Sequence, residues 1–127
     1  MTSRTLAVLA AGALFALSPV AHAAGDAAAG KTVFNKCKAC HSDVAGKNGV
    51  GPSLFGVVGR PVASDAAYKY SDALTTLKGS TPKWDEASLD KWLTKPADMA
   101  KGTKMTFPGL PNQADRDNVI AYLATLK

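Results

Sequence analysis

The sequence predicts an all-α domain interrupted by two long irregular loops. Three observations predict it. Several segments carry helix-starting residues ahead of an apolar spacing of three and four. No stretch sustains strand alternation. Two Gly- and Pro-rich stretches, GKNGVGPSLFGVVGRP (residues 46–61) and KGTKMTFPGLP (residues 101–111), separate the helical pieces. Loops this long are normally functional or disordered. These two carry Leu54, Phe55, Val57 and Val58 in the first and Met105, Phe107 and Leu110 in the second. They look made to pack against something the polypeptide does not itself provide.

Taken in order, the first helix is expected to start from about Asp26, a side chain suited to N-capping, and to run through GKTVFNKC to the cysteine motif. A short helix is expected over residues 71–77. Asp85 can cap another over residues 86–95, with Leu89, Trp92 and Leu93 on its apolar side and Pro96 ending it. The last starts near Asn112, with Asp115 and Asp117 in its early turns. Val119, Tyr122, Leu123 and Leu126 then recur at i, i+3, i+4 and i+7 as a one-sided stripe.

Ahead of these lies a segment of another kind. Arg4 precedes the apolar run LAVLAAGALFAL (residues 6–17), Ser18 and Pro19 break it, and Ala21-His22-Ala23 has the small-x-small pattern of a cleavage site. The run is shorter than the ~20 apolar residues a membrane span needs. Residues 1–23 therefore read as a cleaved secretory signal peptide and residues 24–127 as one domain. Of 127 residues, 104 would remain, and loss of Arg4 lowers the formal charge from +5 to +4. No later segment is long and apolar enough to span a bilayer, which predicts a soluble, exported product. The lysines are scattered rather than gathered in a run, which argues against a nucleic-acid arm and for an acidic protein partner.

The chemistry is concentrated in CKACH: Cys37, Lys38, Ala39, Cys40, His41. Both cysteines of the chain lie there, with the single histidine that survives loss of His22. A thioredoxin-like dithiol would require a βαβ context, which the pattern lacks. A structural zinc site wants four protein ligands, and there is no second ligand pair. A disulfide would close a very small loop and restrain the unfolded chain weakly. Cys-x-x-Cys-His is the attachment pattern of c-type haem: two thiols one helical turn apart can reach two vinyl groups of one porphyrin, with the next imidazole under the ring.

In its landmarks and their order the sequence resembles the small soluble monohaem cytochromes c of the mitochondrial and purple-bacterial type. GDAAAGKTVFNKCKACH, GVGPSLFGVVGR, YKYSDAL, KWLTKP, GTKMTFPGL and RDNVIAYLATLK follow one another as in that family, over essentially the whole of residues 24–127. The resemblance implies one covalent haem c, His41 and Met105 as iron ligands, and Met99 as packing. It implies that the backbone of Pro52 accepts from His41. It assigns Arg60, Tyr68, Tyr70 and Trp84 to the haem propionates, and Thr103 to steadying the methionine loop. Gly30 and Phe34 would cross the last helix closely. Leu74 departs from the family, standing where many relatives place an asparagine near the inner propionate, so the implied internal hydrogen-bond network differs.

The function implied is that of a periplasmic, monomeric electron carrier, not an enzyme. Its partners would be a membrane cytochrome bc complex as donor and an oxidase, photosynthetic reaction centre or reductase as acceptor. Lys36 and Lys104 would steer their acidic faces, with Lys38, Lys47, Lys95 and Lys101 as further contributors.

Overall fold

A computed structural model describes residues 25–127. The expected signal peptide, residues 1–23, lies outside the described residues. Among the described residues five helices follow one another: α1 (Ala27–Phe34), α2 (Asp72–Leu77), α3 (Glu86–Thr94), α4 (Pro96–Met99) and α5 (Gln113–Ala124). Among the described residues there is no sheet, only an isolated antiparallel bridge between Pro61 and Lys83.

The expected helix starts are where polar side chains satisfy free backbone N–H groups. The Asp26 carboxylate accepts from Ala28 and Ala29 N–H at 2.8 and 3.2 Å. Ser71 Oγ accepts from Leu74 N–H at 3.2 Å, Asp85 from Ser88 at 2.8 Å, and Asn112 from Ala114 at 2.8 Å. Two boundaries differ from expectation. Helix α1 ends at Phe34, and the cysteine motif continues as a run of turns rather than as regular helix. Pro96 ends α3 as expected, but it also opens α4 as its first residue, where the missing N–H is harmless.

Helices α1 and α5 cross in close contact, and this crossing frames the molecule. A Cβ on Gly30 would run into the Asn118 carbonyl, so only glycine allows the approach. Phe34, fully buried, packs against Tyr122 with ring centroids 5.4 Å apart. The buried core comprises these two rings with Val57, Val62, Leu77, Trp84, Leu89, Trp92, Leu93, Ala100, Leu110, Val119, Ile120 and Leu123. Trp84 and Trp92 meet edge to face at 5.2 Å. Both long loops wrap onto this core through Leu54 and Val58 on one side and Met105 and Phe107 on the other.

Candidate haem site

The cysteine motif leaves α1 through consecutive turns. Cys37 N–H bonds the Phe34 carbonyl at 2.8 Å, and Cys40 and His41 N–H both bond the Cys37 carbonyl, at 3.2 and 2.9 Å. Both thiols are free, Cys37 half-buried and Cys40 exposed. Burial is the main effect on Cys37 and pushes its thiol up, with Lys36 opposing. A redox dithiol works with a depressed pKa, so the shift runs against that chemistry. Among the described residues no group of three or more His, Cys, Asp or Glu side chains comes together to hold a metal by itself.

His41 is held from both sides. Its Nδ1 lies 2.7 Å from the Pro52 carbonyl. A carbonyl can only accept, so Nδ1 carries the proton and Nε2 keeps a lone pair. The ring lies against Gly51, where any Cβ would overlap it. Burial chiefly lowers the pKa of His41; the Pro52 bond opposes this, and the Arg60 charge adds to it. The result is a neutral imidazole with one nitrogen prepared for a metal.

A cavity of about 550 Å³ opens beside the motif. Cys37, Cys40, His41, Pro52, Arg60, Tyr68, Tyr70, Trp84, Thr103 and Met105 all line it. All ten residues singled out from the sequence thus converge from five separate stretches of chain. Leu54, Val57, Leu74, Leu89, Trp92, Leu93, Phe107 and Leu123 supply an apolar wall. Met99 is absent from that wall and packs instead against the core, as its reading as packing implied. Lys36 and Lys104, both exposed, stand on the cavity's lining.

The polar residues differ in what they have to offer. Arg60 Nη1 donates to the Ser53 and Phe55 carbonyls at 3.0 and 3.2 Å, which leaves the rest of the guanidinium for another acceptor. Tyr70 Oη accepts from Asp65 N–H at 3.2 Å, so its own proton is available. Tyr68 instead donates its proton to the Val50 carbonyl at 2.6 Å, and must rotate its hydroxyl to serve a carboxylate. The Trp84 backbone pairs with Gly59 and Arg60 at 2.6 and 2.9 Å, which fixes the indole at the wall. Thr103 Oγ1 accepts from Met105 N–H at 3.3 Å.

Two linkages escaped the sequence reading. Tyr122 Oη donates to Asp43 Oδ2 at 2.7 Å, tying α5 to the segment just after His41. This bond holds the Asp43 carboxyl below its usual range and pushes Tyr122 up to about 12. Arg116, nearly buried, bonds Asp90, Gln113 and the Leu110 carbonyl. The contacts of Arg116 to α3 and to the loop end are long-range and leave no local signal.

The family profile described as Cytochrome c matches residues 27–127. The chain belongs to the cytochrome c family. It is 53% identical over 105 residues to cytochrome c2 of Rhodoblastus acidophilus, covering 82% of this chain and 95% of that one. It is 47% identical over 126 residues to cytochrome c-554 of Methylosinus trichosporium, covering 98% and 93%. The solved structure of cytochrome cH from Methylobacterium extorquens superposes with a TM-score of 0.73 at 47% identity, over 80% of this chain and 99% of the other. This cytochrome c is accordingly an electron-transfer protein rather than an enzyme, with the all-α fold of its family. Membership implies covalently bound haem c, and Cys37 and Cys40 are in place for it. The cavity's apolar wall, free thiols and neutral imidazole fit that group.

Proposed function

We propose that the protein is a periplasmic electron carrier whose single haem c is attached through Cys37 and Cys40 and ligated by His41 and Met105. The observation that carries this reading is the convergence of CKACH and the residue 101–111 loop on one apolar cavity. Residues 1–23 act as the export signal and are removed, leaving residues 24–127 as a monomer. No helix among the described residues is long and apolar enough to cross a membrane.

His41 and Met105 would hold the haem iron, and the bound haem would supply a one-electron Fe(III)/Fe(II) couple whose potential an imidazole and a thioether ligand would raise. The chain's own residues do the rest. The Pro52 carbonyl orients His41 and raises its basicity. Arg60, Tyr70 and, after rotating its hydroxyl, Tyr68 offer donors to buried propionates, which would otherwise be costly to desolvate. Trp84 closes the wall beside them, and Thr103 steadies the methionine segment. Leu74 lines the same cavity and brings no polar atom there, so the hydrogen-bond network on that side is sparser than an asparagine would make it.

Exposed Lys36 and Lys104 flank the cavity and steer acidic faces of redox partners. Lys38 and Lys47 line a second depression beside Cys40 and His41 and extend this basic face. Lys95 is partly engaged by Asp98 at 3.6 Å and contributes less. The donor is a membrane cytochrome bc complex, and the acceptor an oxidase, reaction centre or reductase. Encounters of this kind are brief and weaken with salt.

The test is an optical redox titration of the purified protein with and without Met105→Ala. The parent should show a high midpoint potential and the far-red ferric band of a sulfur–iron bond. The variant should lose the band and fall by a few tenths of a volt, within the roughly 0.8 V that axial ligands command. An unchanged potential would remove Met105 from the ligand set.

A further inference from the structure

The Met105 segment is pinned at its two ends by different means. On the near side Thr103 N–H bonds the Ala100 carbonyl at 3.0 Å, and Met105 N–H reaches Thr103 Oγ1 at 3.3 Å. Among the described residues the next backbone hydrogen bond comes only at Leu110, whose N–H meets the Leu93 carbonyl of α3 at 2.7 Å. Leu110 is the far anchor, and at 3% exposure it cannot turn its carbonyl to water. That carbonyl accepts from Arg116 Nη1 at 2.6 Å, and the same nitrogen reaches the Pro111 carbonyl at 3.2 Å.

Arg116 is itself only 7% exposed. A cation at such depth is tolerated when its donors are paired. Nε meets Asp90 Oδ1 on α3 at 2.8 Å, and Nη2 meets Gln113 Oε1 at 2.6 Å. Gln113 Nε2 in turn donates to Asp90 and Asp117 at 2.9 and 2.8 Å. One guanidinium thus joins α3, α5 and the end of the methionine loop, which a lysine's point charge cannot do.

Resting on the His41/Met105 reading above, we infer that Arg116 is a positioning residue for the methionine ligand, fixing the far end of the loop so that the Met105 sulfur stays presented to the cavity. A merely structural arginine would affect global stability alone. A positioning arginine also sets how readily the sulfur yields to a competing ligand.

The ferric, haem-loaded protein is titrated with imidazole while the far-red sulfur–iron band is followed. Arg116→Lys keeps the charge and loses the fork; its imidazole dissociation constant should fall about ten-fold, the size of one lost buried hydrogen bond. Gln113→Ala alters an exposed residue, so folding is not at stake, and frees a single arm; about two- to three-fold is expected. Tyr122→Phe cuts a bond on the histidine side and should lower the melting temperature while leaving the imidazole constant unchanged. If Arg116→Lys melts lower but binds imidazole like the parent, the inference is overturned. Should that variant fail to accumulate, an unchanged constant in Gln113→Ala overturns it equally. A parent protein without the far-red band is a different failure: it removes the Met105 ligation on which the inference rests.

Discussion

The two segments that bring a nitrogen and a sulfur to the cavity are built to different standards. Around His41 the backbone is bonded at close intervals: His41 to Cys37, Gly51 to Cys40, Leu54 to Ser42, with the ring locked to Pro52 and pressed on Gly51. Around Met105 the support is one bond to a threonine hydroxyl and an anchor five residues further on. The histidine side is set by the polypeptide. The methionine side is held by fewer bonds of the chain's own, which on the proposed ligation would leave it to be completed by iron.

The sharpest way to break this comparison is Gly51→Ala, which drives a methyl group into the imidazole. Almost no haem-loaded protein should accumulate, as read by the ratio of haem absorbance to protein. Normal yield would mean the histidine side is as adaptable as the methionine side. Gly30→Ala comes next. Helix propensity favours alanine by ~1 kcal/mol, but the clash at Asn118 and Tyr122 should outweigh it, for a net loss of about 3 kcal/mol in denaturant melts. Because the α1–α5 crossing carries both segments, imidazole competition should change little.

Tyr122→Phe is smaller, about 1 kcal/mol near neutral pH, and carries a signature in pH. The Tyr122 pKa is raised from 10.0 to about 12, so this group's stabilisation is fully present below pH 10 and is lost as pH rises towards 12. Its partner Asp43 is depressed, so the same bond is lost at the other end as pH falls below the ordinary value of 3.8. The variant should show a flatter stability profile in both windows. Thr103→Val should have the smallest effect, about 0.5 kcal/mol, since the bond it removes is long at 3.3 Å. Amide exchange should quicken at Met105 and stay unchanged at His41.

What could be read from the sequence was local. Asp26 and Asp85 announce their helices because an N-cap acts within three residues, and the structure puts a cap at each; Ser71 and Asn112 turn out to cap theirs as well. The run of Cys37, Cys40 and His41 is equally self-contained. Tyr68 and Tyr70, at first taken only from resemblance, reach the cavity through a path no periodicity describes. The Arg116 fork and the Tyr122–Asp43 bond were missed because each joins residues 26 and 79 positions apart, and nothing around either end foretells its partner. The first helix was expected to run to the cysteine motif. It stops at Phe34 and breaks into turns, and His41 comes within hydrogen-bond reach of the Pro52 carbonyl.

Phe34, Val57, Trp84, Leu89, Trp92, Leu93, Val119 and Leu123 are at once the centre of the molecule and the wall of its hollow. With the same side chains serving both, a porphyrin bound in the cavity would extend the apolar interior of a small domain. Stitching the pigment on and completing the core would then be linked steps of one process. Copies that miss the stitching are the ones a protease should clear first.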